Sequence, residues 1–209
     1  MADATAGLTD DPTGLDLRKD PAGLSLGADG LLRCFWAGST ADYLAYHDHE
    51  WGRRLTGDDE MFERVCLEAF QSGLSWLTIL RRREAFRRAF EGFQIAKVAE
   101  FGPADVERLL ADAGIIRNRA KIEAAISNAR VALEQPEGLS ALLWSFAPQR
   151  QPRPRTRSEV PATTPVSTAL AKELRRRGFR FVGPTTAYAL MQATGMVDDH
   201  IAGCSAGVG

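Results

Sequence analysis

The sequence has 209 residues, 44% of them hydrophobic and 25% charged, the make-up of one ordinary globular domain with enough chain to bury a core. No apolar run approaches the ~18 residues that cross a bilayer. The acidic start MADATAGLTDD is unlike a secretory leader, and three scattered cysteines make no disulfide framework, so a cytoplasmic protein without membrane association is expected.

The net charge of −1 does not exclude a nucleic-acid partner, because it averages unlike parts. Residues 1–32 set Asp3, Asp10, Asp11, Asp16, Asp20 and Asp29 against Arg18 and Lys19, a local −4 that leaves the remainder near +3. Their Gly, Pro, Asp and Leu show no period, so an irregular acidic extension is expected, with the compact domain spanning 33–209. The stretch CFWAGSTADYLAYHDHEWG (34–52) then gathers one of three cysteines, two of three histidines and two of four tryptophans, beside Tyr43 and Tyr46. Such crowding points to a metal, an aromatic pocket, or both.

From Asp58 the pattern is helical. Asp58 is placed to cap a helix bearing Met61, Phe62, Val65, Leu67, Ala69 and Phe70, and Gly73 interrupts it. Ser75 caps the next helix, carrying Trp76, Ile79, Leu80, Phe86 and Phe90, and a short helix follows at 95–101. In GPADVERLLADAG (102–114), Pro103 suits a first turn and Gly114 a left-handed stop. A helix from Arg119 to Leu133, a short one at 139–146, and helices at 167–177 and 184–194 complete the series, the last two ended by Gly178 and Gly195. Between them, residues 147–165 hold five prolines and four arginines and read as a long surface loop. Only RFVG (180–183) looks strand-like. The expected fold class is all-α.

Three constellations carry chemistry. Cys34 and His47, with twelve residues between them, and His200 and Cys204, four apart, make a Cys2His2 set suited to tetrahedral zinc. Four protein ligands leave no site for water, so the metal would be structural, clipping the start of the domain to its end. His49 competes with His47 on spacing alone, ordinary buried Cys and His explain the same residues, and Cys66 reads as core. The second constellation is two helices, 103–113 and 119–133, joined by Gly114-Ile115-Ile116-Arg117-Asn118. Amides beside a helix N-terminus, with Arg117, Arg119 and Lys121, favour a DNA phosphate, although Gly114 serves equally as a plain helix stop. The third comprises Trp36, Tyr43, Tyr46, Trp51 and Trp76 around Glu68, a carboxylate in an apolar run that needs a partner or a cationic ligand. An aromatic-rich core with Glu68 reaching to water is the alternative.

RCFW (33–36), AYHDHEWG (45–52), CLEAFQSGLSW (66–76), DAGIIRNRAKI (112–122), WSF (144–146), RRGFRFVGPTT (176–186) and MQATGMVDDHIAGC (191–204) together resemble the bacterial DNA-3-methyladenine glycosylase I family, in the family's order. The resemblance implies a helix-hairpin-helix superfamily fold with a structural Zn2+ on Cys34, His47, His200 and Cys204. It implies a lesion pocket in which Glu68 and Tyr46 bind and orient the base, Trp36 and Trp76 stack on it, and Tyr43 and Trp51 lie nearby. Gln71, Gly73 and Leu74 match the loop that probes the gap as a base leaves the duplex. The expected activity is hydrolysis of the N-glycosidic bond of 3-methyladenine by a monomer acting on alkylated double-stranded DNA. No aspartate stands between Asp112 and Asp198, so the catalytic aspartate that many superfamily relatives carry after the hairpin is absent and no group is assigned to activate water. No lysine is assigned as a nucleophile, so no lyase activity is expected. A non-enzymatic, zinc-stabilised DNA-damage binding module is the rival, and a catalytic zinc hydrolase is disfavoured by four-ligand closure. Phe35, Ala69 and Phe70 depart from the smaller or polar residues expected beside these motifs.

Overall fold

The computed structural model describes residues 23–206. Two three-residue strands, β1 (Leu24–Leu26) and β2 (Leu32–Cys34), pair antiparallel, with Leu24 opposite Cys34. Part of the expected irregular extension is thus a hairpin that packs on the domain, and residues 1–22 lie outside the described residues. The helices are α1 (Ala41–His49), α2 (Asp58–Gln71), α3 (Trp76–Ala89), α4 (Ile95–Ala99), α5 (Pro103–Ala111), α6 (Arg119–Leu133), α7 (Leu139–Trp144), α8 (Pro165–Arg176) and α9 (Pro184–Ala193). Apart from the hairpin the fold is helical, as the periodicity predicts. Among the described residues no helix is long and apolar enough to cross a membrane.

α2 is the central element: every residue from Met61 to Phe70 is buried, and α3, α6, α7 and α9 pack around it. Its core is phenylalanine-rich. Phe70 meets Phe86 with ring centroids 4.7 Å apart, and Phe90 and Phe93 stack at 5.3 Å. Each such burial contributes about 2–3 kcal/mol. Phe70, at the end of α2, is therefore a core residue.

Several local expectations change. Asp58 does not cap α2; Gly57 precedes the helix at φ 107°, and the Asp58 carboxylate accepts from Ser140 N at 2.7 Å. α8 starts at Pro165, two residues early, because Thr164 and Ser167 form a reciprocal capping pair. Segment 180–183 is not a strand: Arg180 pairs its backbone with the side chain of Asn128 (2.7 and 3.0 Å), and Phe181 has φ 57°. Gly114 is not left-handed. Its amide donates to Asp112 Oδ1 at 2.7 Å, and a Cβ there would lie 2.9 Å from Ala85 Cβ, so glycine lets the α5–α6 turn approach α3.

Candidate functional site

α1 builds two surfaces at once. Thr40 caps it by accepting from Tyr43 N at 3.2 Å. The spacing Tyr43, Tyr46, His47 then places two phenols toward α3 and one imidazole toward Cys34 and Cys204. α2 supplies Glu68, and α3 opens with Trp76 directly after its Ser75 cap. These side chains surround a cavity of about 400 Å³, within the range of pockets that take small molecules.

The aromatic walls interlock. Trp36 meets Tyr43 edge-on at 5.6 Å and Trp51 at 5.2 Å, and Tyr46 meets Trp76 at 5.4 Å. Tyr43 is fixed through its hydroxyl, which accepts from Leu77 N at 3.1 Å. Arg64 lies behind Tyr46, its guanidinium 5.9 Å from the ring centre, and donates to Glu50, which Arg83 also grips. Burial pushes Tyr46 well above the ordinary phenol range.

Glu68 is 5% exposed and makes no hydrogen bond among the described residues. Burial pushes its carboxyl up to about 8, against a smaller opposing pull from the Arg64 cation. The indole Nε1 of Trp76 is likewise buried without an acceptor. The site thus carries a neutral acid and an N–H donor that the protein leaves unpaired. Trp36, Tyr43, Tyr46, Trp51, Glu68, Gln71 and Trp76 all line it.

Sequence reasoning missed the far wall. Asp199 lines the cavity, with Oδ2 accepting from the Tyr188 hydroxyl at 2.6 Å and from Gln192 Nε2 at 2.7 Å. Asp199 stands in the run DDH beside a metal-type histidine, which was the available signal. Arg157 and Val160 also line the cavity, from a proline-rich loop whose composition gives no hint of it.

Beneath the aromatic wall, ligand atoms of Cys34, His47 and Cys204 lie within 4.8 Å of one another, all buried. His200 stands beside them, its ring 5.1 Å from that of His47 and its Nε2 buried without a partner. Residues 200–204 form a turn, not the helical turn the spacing suggests, with Cys204 N donating to Ile201 O at 2.8 Å. Each histidine has its Nδ1 on an aspartate at 2.8 Å, Asp48 for His47 and Asp198 for His200. Arg33 and Arg153 in turn grip those aspartates, at 2.8 and 2.7 Å. With Nδ1 donating to a carboxylate, each ring presents an Nε2 lone pair: that of His47 faces Cys204 Sγ at 3.4 Å, and that of His200 has no partner among the described residues. Burial opposes a proton on His47, but Cys204 and Asp48 outweigh it and hold the ring above its usual value. The Cys34 thiol is pushed up by its hydrogen bond to Cys204, whose own sulfur is held down by that contact and by His47. His49 is not in the cluster. A Cβ on Gly52 (φ 75°) would lie 2.6 Å from His200 Cε1, so glycine is required beside that ring.

The segment after α2 and the α5–α6 turn meet through Lys121. Its ammonium is buried and donates to Phe70 O at 2.9 Å and Ser72 O at 2.6 Å. The expected phosphate contact for Lys121 is thereby corrected: it fixes residues 70–72 from inside, and burial pulls its proton affinity down. Beyond it Gly73 turns at φ 84° and Leu74 stands 42% exposed. Arg117 is exposed near the turn, while Arg119 is held by Glu107 at 2.7 Å.

A helical domain with an aromatic pocket, an unpaired neutral acid and an unpaired indole N–H is a receptor for one flat heterocycle, of the kind that base-extruding proteins carry. The chain belongs to the methyladenine glycosylase family, whose sequence model matches residues 36–207. It is 48% identical over 180 residues to DNA-3-methyladenine glycosylase 1 of Escherichia coli (strain K12), covering 83% of this chain and 96% of that protein. A crystal structure of 3-methyladenine DNA glycosylase I superposes with TM-score 0.80 at 46% identity, covering 83% of this chain and 98% of the other. A tyrosine-to-phenylalanine variant of a 3-methyladenine DNA glycosylase I in complex with 3-methyladenine superposes with TM-score 0.77 at 32% identity, over 82% and 95%.

Proposed function

We propose that the protein excises 3-methyladenine from alkylated duplex DNA, acting as a monomer and leaving an abasic site. The observation that carries the reading is Glu68, a buried acid with no protein partner inside an aromatic pocket. A methylated adenine nucleotide is cationic, and a cation beside Glu68 draws the carboxyl into its ionised form. Trp36, Tyr46 and Trp76 offer faces that hold the flat cation. When the bond between sugar C1′ and the base nitrogen breaks, its electron pair stays with the base, which leaves as neutral 3-methyladenine. Water oxygen then adds to C1′ and gives up a proton to solvent. Extrusion costs a few kcal/mol, less where methylation has weakened pairing. Gln71, Gly73 and the exposed Leu74 suit the gap left in the duplex. Arg117, with Gly114 and the first amides of α6, forms a helix-hairpin-helix contact to the backbone. No lysine lines the pocket among the described residues, which supports plain hydrolysis without a lyase step.

We also infer a structural zinc. The donor set fits: two sulfurs and the Nε2 atoms of His47 and His200, each ring held at Nδ1 by an aspartate, with the Nε2 of His200 buried and unpartnered beside the Cys34, His47 and Cys204 group. Cys34, His47, His200 and Cys204 would hold the metal and join β2 and α1 to the end of the chain. The deciding experiment is incubation with methylated duplex DNA and chromatography of released bases. Release of 3-methyladenine supports the reading; DNA binding without any release would replace it with a damage-binding module.

A further inference from the structure

One arginine stands apart from the rest. Among the described residues, Arg157 is the single cation lining the aromatic cavity. Its guanidinium lies over the Phe35 ring, 4.3 Å from the centroid, and makes no ion pair among the described residues, whereas its neighbour Arg155 is held by Glu159 at 3.1 Å. Stacking occupies the face of a guanidinium and leaves its in-plane N–H donors free, the geometry that forks onto a phosphate. Both partners of the stack are anchored. Phe35 N donates to Gly23 O at 3.0 Å, and a Cβ on Gly23 would lie 3.1 Å from Arg157 Cβ, so the hairpin start touches both. Val160, three residues on, packs on the buried group that contains Cys34, Ile201 and Cys204.

We propose that Arg157, propped on Phe35 at the pocket mouth, binds a DNA phosphate next to the extruded nucleotide. This rests on the glycosylase reading, since a base inside the pocket leaves its own sugar-phosphate at the mouth. The contact adds one backbone cation to those of the α5–α6 turn and acts on the extruded state, because it sits at the entrance and not on the hairpin.

The test uses Arg157→Ala, Phe35→Leu and the double variant, with a short duplex carrying a central tetrahydrofuran abasic site and, separately, free 3-methyladenine followed by tryptophan quenching. For Arg157→Ala, duplex affinity should fall about five- to tenfold at 0.1 M salt, and the slope of log K against log salt should shrink by about 0.9. Free-base affinity should stay within about twofold of wild type. Phe35→Leu should lose part of the duplex affinity, and the double variant should be no worse than Arg157→Ala. An unchanged salt slope in Arg157→Ala overturns the proposal, as does an equal loss of free-base affinity, which would put the arginine on the base. Release of 3-methyladenine by the wild type is scored independently. Normal release with an unchanged slope rejects the arginine alone, and no release at all rejects the glycosylase reading.

Discussion

Replacing Glu68 by Gln should stabilise the protein at alkaline pH while impairing its work on DNA. In the folded chain this carboxyl keeps its proton until about pH 8, because it is buried; in the unfolded chain it ionises near its ordinary value of 4.5. Between those values the folded state binds the extra proton, so stability falls as pH rises, by ~1.4 kcal/mol per pH unit. The contribution is intact below 4.5 and gone above about 8. Accumulated to pH 7.5 it comes to about 4 kcal/mol. An amide of the same shape has no such slope. Denaturant unfolding at pH 5 and pH 8 should therefore give Glu68→Gln and wild type nearly equal stability at the lower pH and a more stable variant, by about 3–4 kcal/mol, at the higher. Excision of 3-methyladenine should fall about 100-fold, the loss of one charge-assisted contact to the base. Parallel stability curves for the two proteins between pH 5 and pH 8 would refute the reasoning, for they would mean that Glu68 is already ionised in the fold.

Other perturbations address the Cys/His cluster and the segment after α2. Elemental analysis should find one zinc per folded chain, and Cys34→Ser should lose it with a melting point lower by about 10 °C; folded wild-type protein without zinc would remove the clip from the account. Gly52→Ala should also lower zinc content, since its Cβ meets His200 Cε1 at 2.6 Å, and unaltered zinc affinity would show that the ring can move aside. Lys121→Met leaves the carbonyls of Phe70 and Ser72 without their donor and should cost about 1–3 kcal/mol in denaturant unfolding. Its salt slope for DNA should match wild type; a slope reduced by about 0.9 would put Lys121 back on a phosphate.

The helices were legible wherever a cap and an apolar period agreed. Ser75 caps α3 as read from the sequence, and α6 starts at Arg119 as expected, on a cap the sequence reading did not name, Asn118 accepting from Lys121 N at 3.1 Å. The pocket's near wall was legible because aromatic residues and one acid crowd into two short stretches. Its far wall was not, because Asp199, Arg157 and Val160 reach the cavity through tertiary packing that no local period encodes. Lys121 shows the same limit at a single residue. Beside Arg117 and Arg119 a lysine reads as one more phosphate cation, and only the position of α2 reveals two carbonyls waiting for its ammonium. The β1–β2 hairpin escaped for another reason: strands of three residues are too short to establish an alternation.

The crowding of residues 34–52 has a mechanical explanation. Tyr46 and His47 are adjacent on one turn of α1, so the phenol that bounds the pocket cannot shift without carrying the imidazole that faces Cys204. Trp51 completes the link: it lines the cavity, meets Trp36 edge-on at 5.2 Å, and packs against His200 at 4.7 Å. A metal held by Cys34, His47, His200 and Cys204 would therefore fix both ends of the aromatic wall, through α1 on one side and through residues 199–201 on the other. That arrangement suits a site whose ligand arrives as an extruded base. The pocket must be formed before the base enters, because the cost of unstacking leaves little binding energy to order loose aromatic side chains. Joining the wall to such a metal would move that ordering cost from the binding step to the folding step.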